Sequence, residues 1–344
     1  MGMTGNSRKA GSQRSIERLR LLAKVARMYH EQGMRQPEIA ATLGMSQSRV
    51  SRSLKEAGEV GIVRTVVVPP TGVYADLEDA VRTRFGLRDV VIAEAGDDSE
   101  AAVLRALGAT GAAYLDSTLT GSDRVGISSW SSTLLATAEA MTPSTVRTAV
   151  EVVQVLGGVG KPSVQVNATR LAEQFARVTG ATPRFLAAPG FVSSRTVRDA
   201  LLEDPFIAEL AAEWERLSVV LVGIGSLEPS HLLRESGNAL DESDLDGLRR
   251  DGGVGDVCLR FYDEDGRELD SPLHERIVGI SPETLRNVPR VIGVAGGARK
   301  LKAIKGAVRG GWINILITDV ATAQALLDET GDSTVGSDVD GDST

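Results

Sequence analysis

The sequence predicts an α/β protein in two parts. An N-terminal three-helix unit of the winged or helix-turn-helix kind is followed by a doubly wound, Rossmann-like domain. Three observations predict it. Residues 36–54 read as two short helices joined by a tight turn. Beyond residue 72, short strands that are apolar throughout alternate with helices, the pattern of a mostly parallel sheet covered on both faces. Charge is also divided unevenly: residues 1–64 carry 12 Lys and Arg against 5 Asp and Glu, and the remaining chain 26 against 41. The net −8 therefore conceals a +7 head on a −15 body. That split suits an anion-binding module fused to something else.

Residues 1–14 are rich in Gly, Ser, Lys and Arg and are expected to be disordered. A helix follows over 15–32, with Ile16, Leu19, Leu22, Val25, Ala26 and Tyr29 on its buried side. In the helical pair, Ile39, Ala40 and Leu43 share one side of the first helix, and Val50 and Leu54 one side of the second. Ala40 is small where the two backbones cross. Gly44 can take the positive φ that ends the first helix, and Ser46 can cap the second. With that face buried, Ser46, Gln47, Ser48, Arg49, Ser51 and Arg52 remain for base edges and phosphates in a major groove. Residues 47–57 are thus expected to be a recognition helix for double-stranded operator DNA. A hairpin that merely packs would leave this face solvated, but the alanine, the glycine, the capping serine and the Ser/Arg face all fall in register. A strand over 61–68 completes a DNA-binding domain over 15–68. Pro69-Pro70-Thr71-Gly72 then opens a linker over 69–75.

In the second domain, 76–329, strands are expected at 89–93, 124–128, 151–156, 184–186, 219–224, 256–262, 276–280, 290–294 and 314–318. Helices are expected at 76–85, 99–116, 133–141, 164–179, 205–216, 300–309 and 320–329. Residues 330–344 form an acidic tail expected to be disordered. Sheets of this kind take ligands in the crevice beyond the carboxyl ends of their strands. The loop Ser128-Ser129-Trp130-Ser131-Ser132-Thr133 follows a strand and opens a helix, so its hydroxyls and N–H groups suit an anion. Glycine-rich strand ends around Gly157 and Gly158, around Gly225, and around Gly296 would share the same rim. Arg260 and Lys300 are candidate cations, and Asp256 a candidate acceptor for sugar hydroxyls. Gly157-Gly158-Val159-Gly160-Lys161 is not a nucleotide P-loop, because Pro162 stands where Ser or Thr is needed.

The single cysteine, Cys258, excludes an internal disulfide, suits a reducing cytoplasm, and is expected in a buried strand position. Without a membrane-length apolar segment or a secretory leader, the expectation is a soluble cytoplasmic protein. No Cys/His spacing suggests a metal site, and no cofactor is expected. His30, His231 and His274 lie outside the glycine-rich strand ends. No catalytic residue is therefore assigned, and His231 and His274 read as surface or capping residues.

Ordered landmarks extend the pattern beyond single loops. They are the helix-turn-helix, Val125-Gly126-Ile127-Ser128 with Trp130, Val155-Leu156-Gly157-Gly158, and Ala188-Pro189-Gly190. Further on come Gly223-Ile224-Gly225, Gly255-Asp256 running to Arg260 and Asp263, Ala295-Gly296-Gly297 with Lys300, and Leu316-Ile317-Thr318-Asp319. On these residues the chain resembles the SorC/DeoR-type sugar-responsive transcriptional regulators of bacteria, from about residue 18 to 329. The resemblance implies an effector domain similar to ribose-5-phosphate isomerase and glucosamine-6-phosphate deaminase. It also implies a phosphorylated sugar or related polyol as effector, a dimer or tetramer on palindromic operators, and repression of a carbohydrate-catabolism operon. The loop departs from the family pattern, with Ser131-Ser132-Thr133 where Gly-Arg-Thr is common. The missing arginine removes a phosphate contact, which argues against the usual doubly phosphorylated or simple hexose phosphate. A sugar-phosphate isomerase or deaminase is the rival reading.

Overall fold

The computed structural model describes residues 5–63, 72–160, 165–228 and 240–328, with side chains from residue 16 in the first segment and residue 169 in the third. Two compact units, Met1–Pro70 and Thr71–Thr344, divide the chain.

In the first unit, α1 (Gly5–His30), α2 (Gln36–Leu43) and α3 (Gln47–Glu59) form the three helices. α1 takes in residues 5–14, which composition marked as disordered. Extending a nucleated helix costs little, and Arg, Lys, Ala and Gln are good helix formers. Val25 and Met28 of α1 pack with Ile39, Ala40 and Val50; Leu22 and Ala26 pack on Ala57. Ile16, Leu19 and Tyr29, expected inside, are 49%, 44% and 39% exposed. The partner helices are only 8 and 13 residues long, and the buried stripe of α1 is confined to residues 22–28. The strand expected over 61–68 is a turn and bend at 61–63, and its remainder lies outside the described residues.

The second unit is built on a seven-stranded, wholly parallel sheet. Its strands are β1 (Asp89–Ala93), β2 (Arg124–Ile127), β3 (Glu151–Gln154), β4 (Thr182–Arg184), β5 (Val219–Gly223), β9 (Arg290–Val294) and β10 (Ile315–Asp319). Between β5 and β9, β6 (Gly225–Ser226), β7 (Gly255–Val257) and β8 (Arg260–Tyr262) form a small antiparallel sheet. The strand expected over 256–262 is therefore a hairpin. Helices α4 (Ala75–Phe85), α5 (Glu100–Thr118), α6 (Ser132–Ala140), α7 (Gln165–Thr179), α8 (Arg195–Glu203), α9 (Pro205–Ala212), α10 (Glu242–Arg250), α11 (Pro282–Asn287), α12 (Leu301–Arg309) and α13 (Val320–Asp328) complete it. Alternation within strands feeds two cores: Val219 and Leu221 enter one, Val220 and Val222 the other. Both faces are covered, as a parallel sheet requires.

Several boundaries differ. Residues 276–280 do not form a strand; a 3₁₀ helix over Pro272–Arg276 is followed by isolated bridges from Ile277 to Phe191 and Gly279 to Leu156. The helix expected over 205–216 ends at Ala212 and tightens into a 3₁₀ turn over Glu213–Arg216. α8, α10 and α11 were not expected; α8 buries no residue fully, and α10 only Leu245 and Leu248. His231, Pro162 and the 330–344 tail lie outside the described residues.

The sheet order is β1-β10-β9-β5-β2-β3-β4. From β2 the chain winds outward through β3 to β4; from β5 it winds the other way. β2 and β5 are adjacent, so the loops leaving their carboxyl ends diverge and open a crevice at the switch point. No helix among the described residues is long and apolar enough to cross a membrane.

Candidate functional site

The first unit presents α3. Gly44 adopts φ 60°, ψ 37°, ending α2 in the left-handed conformation that a residue without Cβ adopts freely. Ser46 is the N-cap of α3, its hydroxyl accepting from the Arg49 N–H at 3.3 Å. Val50, Ser53 and Ala57 face inward. That leaves Ser46, Gln47, Ser48, Arg49, Ser51 and Arg52 exposed along one edge. Among the described residues neither Arg49 nor Arg52 is engaged in an ion pair, so both guanidinium groups are available for phosphate or guanine.

In the second unit a pocket of about 80 Å³ opens at the β2/β5 switch point. Ser128 to Ser132 after β2 and Gly223 to Ser226 around the end of β5 form two of its walls. Asp256, Cys258 and Leu259 form a third, and Arg299 and Lys300 a fourth. The loop after β2 is rigidly tied. Ser129 Oγ donates to Leu156 O at 2.8 Å, and Trp130 Nε1 to Gly158 O at 3.1 Å. Ser131 caps α6 by accepting from Leu134 N at 3.3 Å. Two glycines are required by close approach. A Cβ on Gly223 would stand 2.6 Å from Ser131 Oγ, and one on Gly225 would stand 1.9 Å from Asp256 Oδ1.

Three non-glycine residues among those described have positive φ: Trp130 at 62°, Cys258 at 52° and Leu259 at 63°. All three line this pocket. Cys258 and Leu259 are the two central residues of the β7–β8 hairpin, a place where Asn-Gly is usual. Holding them left-handed costs roughly 1–2 kcal/mol each. Asp256 Oδ2 stabilises the turn by accepting from Leu259 N at 2.9 Å. Strain concentrated on one cleft is a feature of functional sites.

Electrostatics separate the candidates. Burial raises the Asp256 carboxyl to about 6, although one side still faces the pocket. Burial lowers the Lys300 ammonium, whose Nζ donates to Ile224 O at 2.8 Å; Arg299 beside it acts in the same direction. Burial pushes the Cys258 thiol to about 12, so it is inert, and it sits in the hairpin turn rather than within a strand. Arg260 does not line the pocket. It points the other way, donating to His274 O at 3.0 Å and approaching Glu268 at 4.0 Å. His274 is neither a surface nor a capping residue. Its buried ring accepts from Phe261 N at 2.9 Å through Nε2 and meets Glu268 at 3.1 Å through Nδ1.

Gly157 and Gly158 support the site without lining it. A Cβ on Gly157 would stand 2.3 Å from Pro189 O, and Gly158 offers its carbonyl to Trp130. Thr133 donates to Val294 O at 3.0 Å and lines a second pocket of about 530 Å³. That pocket adjoins the first through Ser132, Arg299 and Lys300, and is floored by Val103, Leu104 and Leu107 of α5. Arg299, absent from the sequence-derived set, lines both pockets. It pairs with Glu100 at 3.0 Å and approaches Glu228 at 3.8 Å. Its place beside Lys300 in a glycine-rich strand end was the available signal. Among the described residues there is no group of three metal-ligating side chains.

The model of a family described as "Putative sugar-binding domain" matches residues 70–328, three-quarters of the chain. The chain belongs to the SorC/DeoR-type sugar-binding transcriptional regulators. It is 31% identical over 313 residues to the deoxyribonucleoside regulator of Bacillus subtilis, covering 91% of this chain and 99% of that one. It is equally 31% identical to the sorbitol operon regulator of Klebsiella pneumoniae, covering 90% and 98%. Among solved structures, full-length SorC from Klebsiella pneumoniae matches with TM-score 0.68 at 30% identity, over 90% of this chain and 99% of that one. The sugar-binding domain of a DeoR regulator from Pseudomonas syringae matches with TM-score 0.59 at 34% identity, over 74% and 100%. The match to SorC spans both units of this SorC/DeoR-type chain, an effector-controlled transcriptional regulator whose relatives are named as regulators rather than enzymes.

Proposed function

We propose that this regulator is a cytoplasmic repressor of a carbohydrate-catabolism operon, released or tightened by a phosphorylated sugar or related polyol. Residues 15–68 act as the DNA-binding domain, 69–75 as the linker and 76–329 as the effector domain. Arg49 and Arg52, with Ser46, Gln47, Ser48 and Ser51, grip and read an operator half-site. A homodimer or homotetramer sets two such helices one helical turn or a multiple apart. The observation that carries the effector reading is the switch-point pocket. A tied hydroxyl loop, a buried carboxylate and a buried ammonium meet there on strained backbone. Asp256 accepts hydroxyls, while Ser131, Ser132 and Lys300 face the anionic end. The ligand alters operator affinity only as far as it binds two assembly geometries unequally.

The raised Asp256 carboxyl would also suit a general base, which keeps an isomerase or deaminase activity as the second reading. A gel-shift panel of sugar phosphates at fixed salt, on duplexes from the chain's own genomic neighbourhood, tests the first. Turnover of a sugar phosphate at enzymatic rate with no effect on DNA binding favours the second.

A further inference from the structure

We propose that the effector carries one anionic group, seated on Arg299 at the junction of the two pockets, and that a second anion is rejected at either end. This rests on the effector reading above and narrows it to a class.

The two pockets share one wall made of Ser132, Arg299 and Lys300. Among the described lining residues, both cations lie in that shared wall. The carboxylates lie outside it: Glu228 and Asp256 in the smaller pocket, Asp98 and Glu100 in the larger. Each pocket thus adds two carboxylates to the shared cations, and Glu100 and Glu228 stand against Arg299 itself.

The two cations differ in what they can still do. Lys300 gives one of its three N–H donors to Ile224 O at 2.8 Å and its stem is buried, which fixes the ammonium in the wall. Arg299 is 37% exposed and is held between one carboxylate from each pocket, Glu100 at 3.0 Å and Glu228 at 3.8 Å. Both carboxylates are solvent-facing, 80% and 68% exposed, and pairs of that kind are weak. An arriving phosphate or carboxylate can displace them and take the planar guanidinium bidentately. The hydroxylated body then runs toward Asp256. With Arg299 taken by the first anion, a second would meet Asp256 and the displaced Glu228 in one pocket, or Asp98 and the displaced Glu100 in the other.

Calorimetric titration of the full-length protein at constant ionic strength tests this, with inorganic phosphate and fructose 1,6-bisphosphate as probes. Inorganic phosphate is expected to bind the wild type, to weaken at least tenfold in Arg299→Gln, and to tighten in Glu228→Gln, where a competing carboxylate is gone. The bisphosphate is expected to bind no more tightly than inorganic phosphate. Absence of phosphate binding, phosphate affinity in Arg299→Gln within twofold of wild type, or a bisphosphate that binds tenfold tighter than phosphate each overturns the proposal. Should Arg299→Gln fail to fold, Glu228→Gln decides alone, and unchanged or weaker phosphate binding overturns it. If the anion seat behaves as described while no sugar phosphate alters operator binding, the effector reading fails and the seat stands. If a sugar phosphate moves operator binding equally in Arg299→Gln, only the seat fails.

Discussion

Asp256→Asn isolates a buried charge in the wall of the pocket. The carboxylate lies over Gly225, accepts from Leu259 N at 2.9 Å, and is raised by burial from 3.8 to about 6. With its folded-state pKa raised, the folded protein holds more protons than the unfolded chain between those two values. Stability therefore falls as pH rises from about 4 to about 6, and stays lower above that window. At 1.36 kcal/mol per pH unit the loss is at most about 3 kcal/mol, and solvent reaching the pocket side reduces it to about 1–3 kcal/mol. Asparagine has the same shape, keeps an acceptor for Leu259 N–H and carries no charge. The variant should be more stable than wild type by about 1–3 kcal/mol at pH 7.5, with the difference shrinking toward zero near pH 4. Urea unfolding of both proteins across this range measures it. A variant no more stable at pH 7.5, or a gap that does not close on acidification, refutes the argument that Leu259 N–H and Lys300 compensate the burial of this charge only in part.

The same carboxylate predicts that effector affinity in the wild type declines below about pH 6, by up to tenfold per pH unit, which calorimetry across pH 5–7.5 reads directly. Arg49→Ala should lower operator affinity by about 1–3 kcal/mol if it reads a guanine, and an unchanged gel shift removes it from the interface. Ile39→Ala, at a fully buried position in the small core of the first unit, should cost about 2–5 kcal/mol there. DNA binding should be lost while calorimetric effector binding is retained; loss of both would show that the two units do not fold independently.

The helix-turn-helix was legible because local signals and burial agree. Gly44 and Ser46 do at the turn what their chemistry allows, and Val50 is fully buried. The parallel sheet was legible from strands such as Val219–Gly223, whose alternate residues feed opposite cores. The β7–β8 hairpin was not, because Cys258-Leu259 carries none of the residues that favour its left-handed turn. Arg260 lies outside the pocket because the turn at Cys258-Leu259 reverses the strand before it, which alternation along the sequence does not reveal. Arg299 is not legible in the sequence because its value comes from lying between Glu100 and Glu228, distant along the chain. Periodicity alone puts Ile16, Leu19 and Tyr29 inside, because it continues along α1 past the helices that bury its middle.

The most direct measurement is the affinity of a fluorescent operator duplex for the full-length protein at fixed salt, titrated with phosphorylated sugars, in wild type and Asp256→Asn. A phosphorylated sugar should shift the wild-type affinity, and the shift should vanish or weaken at least tenfold in ligand concentration in the variant. A shift of undiminished potency in Asp256→Asn would place effector sensing outside the β2/β5 crevice.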